Sequence, residues 1–311
     1  MTTFVLRRLF WTVPVVLLVI LLTFLMMRQI AGNPFRKSER AVTESQQTNF
    51  NRKFHLNDPW WKQYLYYTKG VFTFDLGPSL VLRNQDVNDI VREHFPVSLQ
   101  LGALAFIFAL GIGIPLGVVS ALKANSIYDY AAMTVSNVFY AVPSFLVATL
   151  MIYFFALKWG DLTGLPTSGW GSNSAKIMPA IALGIGPMAY FARLLRGTVL
   201  ETLQQDYIRT ARAKGLRHRR VVVLHVMRNS LIPVVTAAGP LLGYTITGSF
   251  IVELIFNVPG IGQYYVTAIQ ARDYSVTMGL TVLLSVIIIV ANLFVDIAYG
   301  FLDPRTREAR S

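Results

Sequence analysis

Six long apolar stretches that contain no charged residue constrain this chain more than any other feature. They run for 16 to 28 residues and lie between Arg8 and Arg28, His94 and Lys123, Asp129 and Lys158, Lys176 and Arg193, Arg228 and Glu253, and Asp273 and Asp296. An α-helix needs about 20 mainly apolar residues to cross a bilayer. The fourth stretch is the shortest, so the flanking cations should snorkel towards the interfaces. The sequence therefore predicts an all-α polytopic membrane protein with six transmembrane helices.

The Lys and Arg residues predict which side of the membrane each loop faces. Fifteen of the 28 lie at the two termini and in the loops on one side, while the short loops opposite carry only Lys158, Lys176 and Arg272. Positive residues accumulate in short cytoplasmic loops. Both termini, and the long basic loop at residues 198–230, are therefore predicted to be cytoplasmic.

The overall charge supports the same interpretation. The net charge of +12 could suggest nucleic-acid binding, but the chain is 54% hydrophobic and only 14% charged, and its cations sit beside the apolar stretches. A soluble domain rarely has this composition. We therefore assign the positive residues to membrane topology and predict the lipid bilayer, not nucleic acid, as the chain's surroundings.

Three regions follow from this pattern. Residues 1–28 read as an N-terminal signal-anchor helix, because the apolar core is long for a cleaved signal peptide and no clear cleavage site follows it. Residues 29–94 form a polar extracytoplasmic insertion with short helices, and residues 95–311 a five-helix core. In the insertion, Pro59 marks a helix start and Gly70 its stop.

A short helix is predicted inside the basic loop. Asp206 can cap a helix that runs to Lys214, and Gly215 suits the left-handed position at its end. Ile208, Ala211 and Gly215 fall on one face at helical spacing. We interpret this face of small residues as a docking surface for another protein.

The motifs of the loop and of the apolar stretches resemble one family. The run DYIRTARAKGL, followed by VVLHVMRNSLIPVV, is similar to the cytoplasmic coupling loop of permease subunits in bacterial dipeptide and oligopeptide ABC importers. The runs DLGPS at 75–79, YAVPSF at 140–145 and ELIFNVPG at 253–260 resemble the same family, although Val258 replaces the usual Trp. The resemblance implies a type I ABC importer permease fold in the bacterial inner membrane.

The resemblance also implies a function and its partners. The chain would be a non-catalytic translocation subunit, working with a paralogous second permease, two ATP-binding subunits or domains, an extracytoplasmic substrate-binding protein and a peptide substrate. It would hold no cofactor of its own, since ATP binds to the partner subunits. The implied ATPase-coupling residues are Asp206, Tyr207, Arg209, Thr210, Ala211, Lys214 and Gly215. Similar permeases also serve nickel, glutathione and oligosaccharide systems, so the substrate stays open.

Small polar residues inside the apolar stretches are candidates for the translocation pathway: Ser144, Tyr244, Thr245, Thr247 and Ser249. Ser144 could instead bond back to its own helix. Asp296, an ionisable residue at the end of the last stretch, is either a functional residue or a structural contact for a basic loop.

Other functional classes lack their motifs. There is no P-loop of the form G-x-x-x-x-G-K-[ST], no H-E-x-x-H, and no shared helix face among the four His residues, so neither ATP hydrolysis nor a metal site is expected. A stand-alone secondary transporter or channel remains the alternative, with a membrane anchor as a third class. Ion-coupled carriers bury acids or histidines at mid-membrane, and only Asp296 interrupts an apolar stretch here.

Overall fold

The computed structural model describes residues 2–29, 58–79, 81–82, 85–247 and 250–302. Of residues 2–9, 27–28 and 296–302 it describes the backbone but not the side chains. Over these residues the chain is almost entirely helical. The helices are α1 (Thr2–Gln29), α2 (Trp60–Phe72), α3 (Val87–Leu122), α4 (Ile127–Ala141), α5 (Ser144–Lys158), α6 (Gly160–Thr163), α7 (Asn173–Leu203), α8 (Asp206–Ala213), α9 (His218–Thr247), α10 (Phe250–Phe256), α11 (Ile261–Ala271) and α12 (Tyr274–Leu302).

Several of these helices are long and apolar enough to cross a membrane. In the described part of the chain, α3, α7, α9 and the first 22 residues of α12 each pass this test, and α4 with α5 pass it as a bent pair. The apolar part of α1, Phe10–Met26, is shorter. The all-α polytopic class is therefore confirmed, while the count of six spans and the orientation of the termini stay predictions.

The third apolar stretch departs from a straight crossing. α4 and α5 meet at a bend of 105°. Pro143 causes the break, because a proline disfavours helical geometry in the residue before it. Val142 accordingly has φ −78° and ψ 126°, which is extended backbone. The length of the charge-free stretch predicts one crossing, and that length carries no information about the break at Pro143.

The described residues form two compact units. The first contains Ser98–Val258 and the last helix from Ile288 onward, and the second contains Thr2–Val97 and Pro259–Ile287. In the first unit, α7 packs against α4, α5 and α9. It is the most enclosed of the candidate spans, with 67% of its apolar window buried.

In the second unit, Ser79 of the DLGPS run is fastened to the start of α12. Its hydroxyl donates to the carboxylate of Asp273, which also accepts the backbone N–H of Val81 at 3.2 Å. The same carboxylate accepts the N–H of Val276 at 3.2 Å and so caps α12. The family motif at 75–79 thus stabilises the chain's own packing.

In the first unit, two glycines let α3 approach the backbone of α7. A Cβ atom at Gly113 would lie 2.6 Å from the carbonyl oxygen of Met188, and one at Gly117 would lie 2.5 Å from that of Ala192. Both distances are far below van der Waals contact. Small residues at such seams are the usual basis of close helix packing in membranes.

We expect Gly117→Ala to lower the free energy of unfolding by about 1–3 kcal/mol, because the new methyl group must push the two helices apart. The midpoint of thermal unfolding in mild detergent would measure the loss. Gly111→Ala on the same helix is the matched control, since nothing lies within 4 Å of its Cβ position. Equal midpoints for the two variants would show that the seam tolerates the methyl group.

Candidate functional site

The short helix predicted in the basic loop is present as α8. It starts with Gln205 in the capping position (φ −69°, ψ 146°), and the Gln205 side chain makes no capping hydrogen bond. The prediction that Asp206 caps the helix is therefore wrong by one residue. Asp206 lies in the first turn instead, where a carboxylate complements the positive end of the helix dipole, and its Oδ1 is 3.5 Å from Nη1 of Arg209.

The predicted end of α8 is confirmed. Gly215 has a positive φ of 75°, in the left-handed region. The N–H of Leu216 donates to the carbonyl of Ala211 at 3.4 Å, and the N–H of Gly215 donates to that of Arg212 at 2.9 Å. This pair of bonds is a Schellman motif. It fixes where the helix stops and turns the chain towards α9.

The face of α8 that we predicted to dock another protein lies largely inside this protein. Ile208 is 0% exposed and Ala211 is 7% exposed. α8 packs on the π-helical segment Val221–Val226 of α9, which is also mostly apolar. The interpretation of Ile208 and Ala211 as docking residues is therefore wrong. Ile208 is a large aliphatic residue in a polar helix, so its burial lowers the free energy of the folded chain. Of the three residues in the predicted face, only Gly215 is exposed.

The opposite side of α8 is exposed, basic and small. We call it the α8 surface, and it consists of Asp206, Tyr207, Arg209, Thr210, Arg212, Ala213, Lys214 and Gly215. Six of the seven predicted coupling residues lie on it, and Ala211 does not. Within the described part of the chain all eight residues are exposed, although the hydroxyl of Tyr207 contacts α9.

One side-chain hydrogen bond joins α8 to α9, and further hydrogen bonds join α9 to α7. Asn229 of α9 donates from Nδ2 to the hydroxyl of Tyr207 at 2.7 Å. The next residue, Ser230, donates to the hydroxyl of Thr202 on α7 at 2.9 Å, and Thr198 donates to the carbonyl of Ser230 at 3.0 Å. α8 is thus bonded to α9, and through Ser230 the same part of α9 is bonded to α7.

An ion pair with a buried carboxylate lies earlier on α7. Nε of Arg196 is 2.6 Å from Oδ1 of Asp129, and Nη2 is 2.7 Å from Oδ2. The side chain of Asp129 is 2% exposed. It also accepts the hydroxyl of Ser120 and the N–H of Asn125 at 2.9 Å, so one carboxylate joins α3, the α3–α4 connection, α4 and α7. Sequence reasoning missed this pair, because Asp129 served only as the boundary of an apolar stretch.

The pathway candidates do not share one environment. Tyr244 is 54% exposed, whereas Thr245 is buried and its hydroxyl donates to its own helix at 2.9 Å. Thr247 is half-buried and also bonds back to its helix, at 2.8 Å. Ser144, in the first turn of α5, is half-buried, and Ser249 lies outside the described residues. Tyr244 and Ser144 stay predictions for the translocation pathway, and the burial of Thr245 counts against Thr245 as a pathway residue.

Other ionisable groups complete the picture. Glu253 is buried and accepts the hydroxyl of Ser98 at 2.7 Å. Asp129 and Glu253, which entered the sequence analysis only as boundaries of apolar stretches, are thus both buried. The side chain of Asp296 lies outside those described. No group of acids and histidines in the described residues could hold a metal ion.

Comparison with known proteins gives a consistent result. The family model of the "Binding-protein-dependent transport system inner membrane component" matches residues 113–308. The dipeptide transport system permease protein DppB of Bacillus subtilis (strain 168) is 44% identical, over 99% of this chain and 98% of that protein. The oligopeptide transport system permease protein OppB of Salmonella typhimurium is 41% identical, over 99% of this chain and 100% of that protein.

Solved structures support the fold. A chain of the MetNI methionine ABC transporter in an inward-facing conformation matches with a TM-score of 0.56 at 20% identity. The match covers 69% of this chain and 96% of that chain. At this identity it speaks for the helical architecture alone.

Proposed function

Because the chain belongs to the family of binding-protein-dependent transport system inner membrane components, we propose that it carries dipeptides or oligopeptides inward and that separate ATPase subunits drive it through α8. The family makes the chain a permease of a binding-protein-dependent ABC importer. The peptide substrate is supported by full-length relatives at 38–44% identity whose names specify dipeptide or oligopeptide transport.

The partners we propose are a paralogous second permease, two ATP-binding subunits or domains, and an extracytoplasmic substrate-binding protein. The chain has no P-loop, so the hydrolysis of ATP falls to the partners and the chain itself is not an enzyme. We further propose six spans in the bacterial inner membrane with both termini in the cytoplasm.

The α8 surface is the observation that carries the coupling part of the proposal. One side of α8 is anchored on the permease by Ile208 and Ala211, while the other is exposed and carries small and basic side chains. Another protein can bind the exposed side of such a helix while the buried side stays packed on the permease. The bond from Asn229 to Tyr207 and the hydroxyl cluster behind it would then pass the movement of the ATPases to α7 and α9.

Movement of the spans would follow from these contacts. When the ATPase subunits close, α8, α7 and the start of α9 would shift together as a rigid body, which is the usual form of switching in packed bundles. The ion pair between Asp129 and Arg196 would carry the start of α4 along with α7. The spans would thereby alternate between inward-facing and outward-facing packings.

Purification of the tagged chain from its native membrane in mild detergent tests the proposal. We expect a second permease and P-loop ATPases to co-purify, and the hydrolysis of ATP by the complex to rise when peptide-loaded binding protein is added. A homo-oligomer without an ATPase would contradict the importer mechanism and favour a stand-alone carrier. A nickel or oligosaccharide ligand on the companion binding protein would contradict the proposed peptide substrate and leave the importer mechanism standing.

A further inference from the structure

An arginine without an acidic partner lies where α7 packs against α4. The guanidinium of Arg193 sits over the ring of Tyr140, with Cζ 4.1 Å from the ring centroid, and its Nη1 donates to Oδ1 of Asn137 at 3.2 Å. Among the residues that the structure describes, no Asp or Glu forms an ion pair with it. One turn farther on, Arg196 is matched completely by Asp129. The same helix therefore neutralises one arginine and leaves its neighbour uncompensated.

The contacts of Arg193 orient its charge without neutralising it. Asn137 offers a neutral amide oxygen and occupies one of the five N–H donors of the guanidinium. Stacking on Tyr140 uses none of them and holds the planar group in one orientation. Arg193 stands at the boundary of the fourth apolar stretch, and an oriented guanidinium with spare N–H donors at that place can bind an anion.

The stripe of α7 that carries Arg193 has no aliphatic side chain. Gly186, Tyr190, Arg193 and Gly197 follow one another at intervals of four, three and four residues and so form one stripe along α7. Nothing lies within 4 Å of the Cβ position of Gly186 or of Gly197. The ring of Tyr190 is 6.4 Å from that of Tyr140.

This composition indicates what lies against the stripe. Lipid tails offer no hydrogen bonds, so a lipid-facing surface is normally covered by aliphatic side chains. Glycine, tyrosine, asparagine and arginine instead suit a hydrated path along which an extended polar chain can approach closely. The two open glycines leave room for such a chain on either side of the guanidinium.

We propose that Arg193 binds the free α-carboxylate of the peptide during translocation, with Asn137 and Tyr140 holding the guanidinium in place. The proposal rests on the peptide-import function stated above. Every unmodified peptide carries this carboxylate whatever its side chains are, so a single arginine can serve substrates of many sequences. A guanidinium binds a carboxylate through two parallel hydrogen bonds, which also sets the direction in which the peptide lies.

Uptake of two matched peptides by the complete importer in vesicles tests the proposal. One peptide has a free C-terminal carboxylate and the other a C-terminal amide, and the binding protein is saturated with each in turn so that its own selectivity does not enter the rates. We expect Arg193→Gln to slow uptake of the free acid about tenfold or more, as the loss of a charged hydrogen bond would do. The rate for the amide should stay unchanged.

A second variant keeps the charge of Arg193. Asn137→Asp is isosteric and places a carboxylate 3.2 Å from Nη1, at the position of the present amide oxygen. We expect this internal anion to remove the preference for the free acid as effectively as Arg193→Gln does. Lys158→Gln is the matched control. Lys158 is also a cation near aromatic rings, those of Phe154 and Trp159, but it belongs to α5 and not to the stripe along α7. It should keep the wild-type ratio.

An unchanged ratio of the two uptake rates in both Arg193→Gln and Asn137→Asp would overturn the proposal. So would an effect of Arg193→Gln that occurs in vesicles containing phosphatidylglycerol and disappears in phosphatidylcholine, because the arginine would then bind lipid headgroups. If the wild-type importer takes up neither peptide, the peptide-import function fails and this proposal fails with it. Peptide uptake with an unchanged ratio would overturn the role of Arg193 alone.

Discussion

Replacing Asp129 by alanine is expected to lower the free energy of unfolding of this permease by about 3 kcal/mol, the lower end of the cost of leaving one member of a buried ion pair alone, because Arg196 keeps partial access to solvent. The change would strand the guanidinium of Arg196 and remove the acceptor of the Ser120 hydroxyl and the Asn125 N–H. Thermal and denaturant unfolding of the purified subunit in mild detergent would measure the loss. We also expect a lower yield of the variant in the membrane.

Two further variants make this experiment specific. Asp129→Leu combined with Arg196→Met removes both charges and should recover most of the lost stability, because no uncompensated charge stays behind. Asp206→Ala breaks the solvent-exposed pair with Arg209 and should leave the unfolding transition where it is, since exposed pairs contribute little. A stable Asp129→Ala variant, or a double variant worse than the single one, would contradict a structural role for the pair.

The ion pair also explains how movement at one end of α7 could reach the bend between α4 and α5. Arg196 precedes Thr198 and Thr202, the α7 residues that bond to Ser230. On the N-terminal side of these contacts, the carboxylate of Asp129 bonds the start of α4 to Arg196 on the same helix α7. Loss of the pair should therefore weaken the transmission of force as well as stability.

Local signals in the sequence were sufficient for part of this structure. The charge-free stretches located the long apolar helices, because hydrophobic length alone decides whether a helix can span a bilayer. Gly215 predicted the end of α8, because only a residue without Cβ takes a positive φ at no cost. Both predictions depend on properties of neighbouring residues in the chain.

What the sequence could not supply depends on distant contacts. Asp129 and Arg196 are 67 positions apart, and no spacing rule connects residues on two different helices. The helical spacing of Ile208 and Ala211 predicts that they share one face, but our assignment of that face to a partner protein is wrong. The segment Val221–Val226 of this chain lies beneath it, and no local signal in α8 announces that contact. The bend at Pro143 is different, because its cause is the proline itself and therefore lies within the local sequence.

Replacing Thr210 by tryptophan is expected to abolish ATP-driven peptide uptake while the permease still folds and inserts. Thr210 is exposed on the α8 surface, and its hydroxyl only bonds back to the carbonyl of Asp206 in the same helix at 3.0 Å. A large ring there would cost the chain that one exposed hydrogen bond but would obstruct a protein that binds the helix. Exposed substitutions usually change stability by less than about 0.5 kcal/mol. Uptake by vesicles would measure the loss of transport, and the amount of permease in the membrane would measure folding and insertion. Co-purification would show whether the ATPase subunits still bind.

Two comparisons separate docking from folding at α8. Ala211→Glu would bury a carboxylate against Val221–Val226 and should reduce the amount of folded permease itself, because an unpaired charge is being forced into an apolar contact. Leu162→Trp adds the same large ring as Thr210→Trp at a residue that is 86% exposed on α6, and it should leave uptake normal. Full uptake by the Thr210→Trp variant would contradict coupling through the α8 surface. Loss of uptake with normal folding, in that variant alone, would show that ATPase subunits drive this permease from there.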